Sequence, residues 1–213
     1  MALMAAWKFI VTTFDGENHG RLIFVVGPSG SGKNSVIASA LKIINKNNYL
    51  LAPRYVTRPL SATAANGAFD DLPVSDTAFE HYRLEGRFAL AWQAHGLRYG
   101  IGIEINTWLR SGKTVLVNGS RAYTETALTH YPALRVVHIR APAHVTQARL
   151  TARGREDVAA IEARVRRDPT FRVPGDQLIT IDNSGPLESA GLALATALHG
   201  CGSAQCSGHS GVP

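Results

Sequence analysis

Gly27-Pro28-Ser29-Gly30-Ser31-Gly32-Lys33 is the stretch on which the reading of this 213-residue chain turns. It follows an apolar run, Leu22-Ile23-Phe24-Val25-Val26, and opens into a segment with helical patterning from Val36 to Ile44. Strand, glycine-rich loop and helix form the context in which G-x-x-x-x-G-K cradles phosphate. Glycines at 27, 30 and 32 permit backbone conformations and close approaches that a side chain would block. Successive N–H groups then point at a polyphosphate, at the positive end of the following helix. Lys33 reaches the β- and γ-phosphates in such a loop. The bland alternative, a glycine-rich turn before an ordinary helix, does not account for strand, spacing, lysine and helix together. The expectation is a nucleoside triphosphate site built from Gly27, Pro28, Ser29, Gly30, Ser31, Gly32, Lys33, Asn34 and Ser35.

One departure bears on the metal. The usual loop places Ser or Thr after the lysine, where its hydroxyl holds Mg²⁺. Here Asn34 stands there, followed by Ser35. An amide oxygen can ligate a hard cation or contact it through water, so Asn34 is the candidate metal ligand.

Composition sets outer limits. With 45% hydrophobic and 18% charged residues, the chain suits one globular domain with a substantial core. No stretch of about 18 apolar residues suggests a membrane span. The apolar opening, residues 1–11, lacks the basic start and cleavage site of a signal peptide, and residues 1–20 read as an extension. Cys201 and Cys206 lie in a Gly/Ser-rich stretch, 200–213, that reads as disordered and too poor in ligands for a closed metal site. A reduced, cytoplasmic setting fits. The net charge is +6, and 17 of the 22 basic residues are arginine. They fall in short separate clusters, which suits planar forks on small phosphorylated ligands better than a nucleic-acid surface. The oligomeric state is not written in the sequence, and a homodimer is one option.

The remaining pattern is α/β. Arg54-Tyr55-Val56-Thr57-Arg58 is a short β-prone piece before Pro59, and residues 60–75 have loop composition. Ser75 is placed to cap a helix running to about Glu85. Phe88–His95 reads as a strand, Gly96–Gly102 as a turn into another, and Glu104–Leu109 as helical. Thr114–Val117, Leu134–Ile139 and Leu178–Asp182 read as strands, with helical patterns at 121–130, 143–152, 156–168 and 187–198. The alternation predicts a parallel sheet covered by helices on both faces, with the ligand beyond the strands' carboxyl ends. The loops after Val26, Val117 and Ile139 should meet there. Arg149, Arg153, Arg155, Arg164, Arg166 and Arg167 form a second arginine cluster. Its Arg-Gly-Arg turn, placed after a core strand, reads as a lid over a transferring phosphoryl group.

These residues resemble a known family. The phosphate loop, Tyr55-x-Thr57-Arg58-Pro59, Tyr99-Gly100 and Leu150-x-x-Arg153-Gly154-Arg155 are similar to the guanylate kinase superfamily. Arg54–Pro59, His95–Ile105 and Val115–Arg121 further resemble its branch of ribose 1,5-bisphosphate phosphokinases, from bacterial phosphonate breakdown. The resemblance covers about residues 21–198. It implies a nucleoside monophosphate kinase-like P-loop fold over 21–199, with an acceptor-binding insertion at about 54–102 and a lid at about 153–167. It implies transfer of the γ-phosphate of ATP, with Mg²⁺, to the 1-phosphate of ribose 1,5-bisphosphate. By resemblance, Arg58 and Arg54 grip an acceptor phosphate and Tyr99 donates to it. Asn118, Ser120 and Arg121 lie on the acceptor side, Arg153, Arg164 and Arg155 close on the transferring group, and Asn183 lies near the adenine.

The chemistry of the residues agrees. A phosphate monoester is ionised near pH 7 and needs no aspartate base, only neutralisation as two anions approach. Guanylate kinases resemble one another in carrying aspartates where this chain has Asn118 and Ser120, which disfavours guanine recognition. Guanylate kinase therefore stands as the runner-up, ahead of a non-catalytic phosphate-binding module. Phe69-Asp70-Asp71 departs from the branch. Asp70 and Asp71 could contact ribose hydroxyls, but a solvated loop is the preferred reading. Trp92 and His95 could line the acceptor pocket, although a strand tryptophan is more often core.

Overall fold

The computed structural model describes residues 20–45, 47–58, 71–153 and 170–200, and of Arg153 the backbone alone. The extension before Gly20, Pro59, Asp70, Arg155, Arg164, the rest of the lid and the cysteine-bearing tail lie outside the described residues.

Five parallel strands form the core sheet in the order β2-β7-β1-β8-β9. They are β1 (Leu22–Val26), β2 (Tyr49–Leu51), β7 (Thr114–Asn118), β8 (Arg135–Arg140) and β9 (Leu178–Asp182). β1 lies between β7 and β8, with Phe24 opposite Val117 on one side and Val136 on the other. All five residues of β1 are buried, as a central parallel strand covered on both faces must be. Alternation then divides its side chains. Ile23 and Val25 pack with Leu116, Val137 and Ile139 under helices α1 (Lys33–Leu41) and α6 (Leu187–Gly200). Leu22, Phe24 and Val26 pack on the other face, with α3 (Ile105–Arg110), α4 (Thr124–His130) and a second sheet. Gly191 permits the close approach of α6 to α1, since a Cβ there would strike Ser39. Tyr131 ties α4 back to α3 by donating to Asn106 Oδ1 at 2.7 Å. Burial pushes its hydroxyl pKa up to about 12.

The second sheet is the insertion. Its order is β4-β3-β6-β5, from β3 (Arg54–Val56), β4 (Asp71–Pro73), β5 (Phe88–Ala94) and β6 (Leu97–Gly102). Helix α2 (Asp76–Leu84) lies against it, and the Ser75 hydroxyl accepts from Ala78 N as the capping signal predicts. Register assigns the two faces. Arg54, Val56, Leu90, Trp92, Tyr99, Ile101 and Asp71 share one face. Tyr55 meets Tyr82 and Phe88 beside α2, and the Arg98 guanidinium lies over Phe79.

Three expectations change. Helix α1 starts at Lys33 rather than Val36 and ends at Leu41, because Gly32, in the left-handed region (φ 83°), turns the chain straight into it. Residues 121–130 divide into a 3₁₀ turn, Arg121–Tyr123, and α4. Residues 71–73 are a strand rather than loop. Pro73 obscured it, yet proline is tolerated here because β4 is the edge of its sheet.

A tight fit follows β7, where a Cβ on Gly119 would run into the ring of Phe24, a residue with no exposed surface. Gly119→Ala should destabilise the fold by about 1–3 kcal/mol. The melting temperature should then fall by roughly 2–4 °C for each kcal/mol. An unchanged melting curve would show that the ring yields without cost.

Candidate active site

The carboxyl ends of β1, β7 and β8 open on one side of the core sheet, and the phosphate loop lies there. Gly30 and Gly32 both adopt left-handed backbone, φ 82° and 83°. Ser31 N donates to Pro28 O at 3.2 Å, closing a turn. A Cβ on Gly27 would strike the carbonyl oxygen of Ile139, the next strand's end. The Lys33 ammonium bends back over the loop, donating to Gly27 O at 2.7 Å and Pro28 O at 3.2 Å. Ser35 is exposed in the first turn of α1.

A brace holds this loop from the far edge of the sheet. Asn183, one residue beyond β9 and 2% exposed, donates through Nδ2 to Ser31 O at 2.7 Å. A side chain on Gly32 would occupy the position of that amide. The expected adenine-side residue is thus seated against the loop itself. Arg149, on α5 (Ala143–Arg153), points one nitrogen at the same place, 3.6 Å from where a Gly32 Cβ would sit. Among the described residues, that Arg149 nitrogen, Ser31 Oγ, Asn118 Oδ1 and Asn183 Oδ1 are buried with no hydrogen-bond partner. Arg149 was not singled out as a site residue from sequence. The signal was its spacing, one helical turn before Arg153 on the same face.

A cradle with left-handed glycines, a lysine over its mouth and buried unsatisfied donors fits a polyphosphate. For a cation the donor set is neutral. Asn118, at the end of β7 and 1% exposed, donates through Nδ2 to Asn34 Oδ1 at 3.1 Å. Its own Oδ1 remains as a buried acceptor. No cluster of three His, Cys, Asp or Glu occurs among the described residues. Amide oxygens beside a phosphate loop suit a cation that keeps much of its water, as Mg²⁺ does.

The face of the insertion sheet that carries Arg54 and Asp71 reaches this same point. Arg54 grips Asp71 with both arms of its fork, Nε to Oδ1 at 3.0 Å and Nη2 to Oδ2 at 3.2 Å. A third nitrogen donates to Asn118 O at 3.4 Å. The guanidinium lies over Tyr99, 5.5 Å from the ring centroid. Tyr99 stacks on Trp92, which stacks on Tyr123 and meets Phe24 edge-on. Trp92 is therefore core, and His95 is spent on the hairpin turn with φ 52°. Arg58 stands just past β3, its nearest nitrogen 3.8 Å from Asp71 Oδ2. Ser120 follows β7 and its carbonyl accepts from Thr124 Oγ1, while Arg121 is buried in the following turn.

The solvated reading of Asp71 is overturned. Strand register places it beside Arg54, and its side chain is 20% exposed and paired. Arg164 and Arg155 lie outside the described residues, as does the side chain of Arg153.

The brace gives a direct prediction. Asn183→Ala removes one buried bond, and calorimetric titration should show ATP binding weakened roughly tenfold, for about 1–1.5 kcal/mol lost. Unchanged affinity would mean that the loop holds its shape without it.

No protein-family profile matches the chain. It is 45% identical over 176 residues to a ribose 1,5-bisphosphate phosphokinase PhnN of Desulfomicrobium baculatum, covering 82% of this chain and 92% of that one. It is 43% identical over 181 residues to the protein of the same name from Burkholderia mallei, covering 84% and 96%. The fold is similar to that of guanylate kinase from Anaplasma phagocytophilum, with TM-score 0.67, 14% identity and 89% of each chain covered. At that identity the likeness speaks for architecture alone. Identity of this extent along nearly the full length of both relatives is a statement of descent: the chain belongs to the ribose 1,5-bisphosphate phosphokinase family.

Proposed function

We propose that this protein transfers the γ-phosphate of ATP to the 1-phosphate of ribose 1,5-bisphosphate, giving 5-phosphoribosyl 1-diphosphate and ADP. The names of its relatives support the substrate. One observation carries the chemistry: at Asn118 the helix behind the phosphate loop and the arginine-bearing face of the insertion are each one hydrogen bond away. A phosphate donor and a phosphate acceptor can therefore be held side by side.

In this reading an oxygen of the acceptor phosphate forms the new bond to the γ-phosphorus as the bond to the β-phosphate oxygen breaks. The acceptor is already an anion, so no general base is needed. What the residues supply is position and positive charge. Gly27–Gly32 and Asn34–Ser35 hold the phosphates, Lys33 follows the transferring group, and Asn183 keeps the loop in shape. Arg58 meets the acceptor phosphate, with Arg54, Tyr99, Asn118, Ser120 and Arg121 around the acceptor. Arg153 and Arg164 complete the site from the lid and exclude water. Mg²⁺, when bound, neutralises charge on the phosphate oxygens, with Asn34 and the Asn118 amide as the chain's oxygen donors. The reaction belongs in the cytoplasm, with ATP and a small phosphorylated sugar as partners.

Incubation with ATP and Mg²⁺, comparing ribose 1,5-bisphosphate with GMP by phosphorus NMR, tests the assignment. A new diphosphate on the sugar, with GMP inert, is expected. GMP turnover instead would refute the acceptor, and turnover of neither would refute the kinase reading. Lys33→Ala should lower turnover by about 100–1,000-fold while the fold is kept. Arg58→Ala should cost acceptor kcat/KM about 1.5–3 kcal/mol. Normal acceptor kinetics in the arginine variant would remove Arg58 from the site.

A further inference from the structure

Two arginines of the insertion, Arg54 and Arg58, stand beside one carboxylate, Asp71. Asp71 and Arg54 are register partners on β4 and β3, so their side chains leave the sheet on the same face. Both Asp71 oxygens are taken up by the Arg54 fork, at 3.0 and 3.2 Å. The same carboxylate comes within 3.8 Å of Arg58. Both partners are largely withdrawn from water, with side chains 13% and 20% exposed. Arg54 is further fixed by Tyr99 beneath it and by Asn118 O. A bidentate carboxylate–guanidinium pair uses the geometry that a phosphate would use on the same fork.

We propose that Asp71 is a specificity-determining residue of the acceptor site, whose carboxylate fills the Arg54 fork and keeps a second anion from binding there. Arg58 is then the insertion arginine left to meet the acceptor's reacting phosphate. The proposal deepens the kinase reading and rests on it for the identity of the acceptor. Its physical sense lies in the charge of the reaction. Transfer to a phosphate makes a diphosphate, a product more negative than the acceptor it came from. Two open arginine forks would hold that product more firmly than the acceptor, and would offer free inorganic phosphate a second place to bind. One internal carboxylate lowers the positive charge of the pocket without removing the stiff arm that Arg54 gives it.

The test uses the full chain with a non-hydrolysable ATP analogue and Mg²⁺ occupying the phosphate loop, and inorganic phosphate as the probe. Binding is read by calorimetry, and inhibition of turnover is read competitively against the acceptor. Asp71→Asn keeps the shape and removes the charge. It should bind phosphate at least about tenfold more tightly, the equivalent of one charge-assisted bond. The gain should disappear in Arg54→Met/Asp71→Asn, because it runs through that fork. Asp71→Ser reads the same quantity if the asparagine variant fails to fold. Unchanged or weaker phosphate binding in the single variant would overturn the proposal. So would tighter binding that persists without Arg54. Because the probe is phosphate itself, either result stands apart from whether the natural acceptor is ribose 1,5-bisphosphate.

Discussion

Asn118 faces two ways, and the arrangement of the site depends on it. Its carbonyl accepts from Arg54 of the insertion, and its side-chain amide donates to Asn34 in the first turn of α1. It stands at the end of β7, which pairs with β1, the strand that delivers the phosphate loop. A residue 1% exposed at that position cannot be remodelled by solvent or drift with a surface loop. With donor and acceptor phosphates on either side of it, as proposed, core strand pairing sets the distance between them. That is the requirement for a reaction in which the protein contributes positioning and charge rather than covalent chemistry.

The surroundings show where the fold gives up stability. Four buried polar atoms without partners among the described residues gather near this point, on Ser31, Asn118, Arg149 and Asn183. Each such group costs about 1–3 kcal/mol when buried and unpaired. The apolar side chains of the core fall into two clusters, one on each face of β1. The Arg149 nitrogen and the Ser31 hydroxyl can donate to a ligand of many oxygens, whereas the amide oxygens of Asn118 and Asn183 are acceptors that suit a cation or a donor group. The insertion is anchored differently. Trp92, between Tyr99 and Tyr123 and against Phe24, makes an aromatic column from the arginine face into the core. Arg54 rests on the outer end of that column.

Much of this was legible in the residues. The phosphate loop, the alternation of strands with helices and the Ser75 cap are local patterns with local causes, and all three appear in the structure. The meeting of the loops after Val26 and Val117 follows from parallel pairing and needed no three-dimensional knowledge. What was not legible depends on contacts distant in sequence. Asp71 reads as a solvated loop residue because three residues ending in proline carry no strand signal. Only its pairing with Arg54, 17 positions earlier, gives it a partner. The Asn183 brace spans 152 positions to Ser31, and nothing in the Asn183-x-Gly185 turn announces it. Arg149 was visible as part of an arginine cluster, but its direction toward Gly32 is a property of how α5 packs.

The central claim is that Asn118 and Asn34 act as one unit joining the donor and acceptor sites. A double-mutant cycle on turnover, with Asn34→Ala, Asn118→Ala and the combined variant, tests it most directly. If the two form one joint, either single change breaks it, and the double variant should lose little more than the worse single one. The coupling should then be at least about 1 kcal/mol. Costs that simply add would contradict the account, leaving two separate amides that happen to touch.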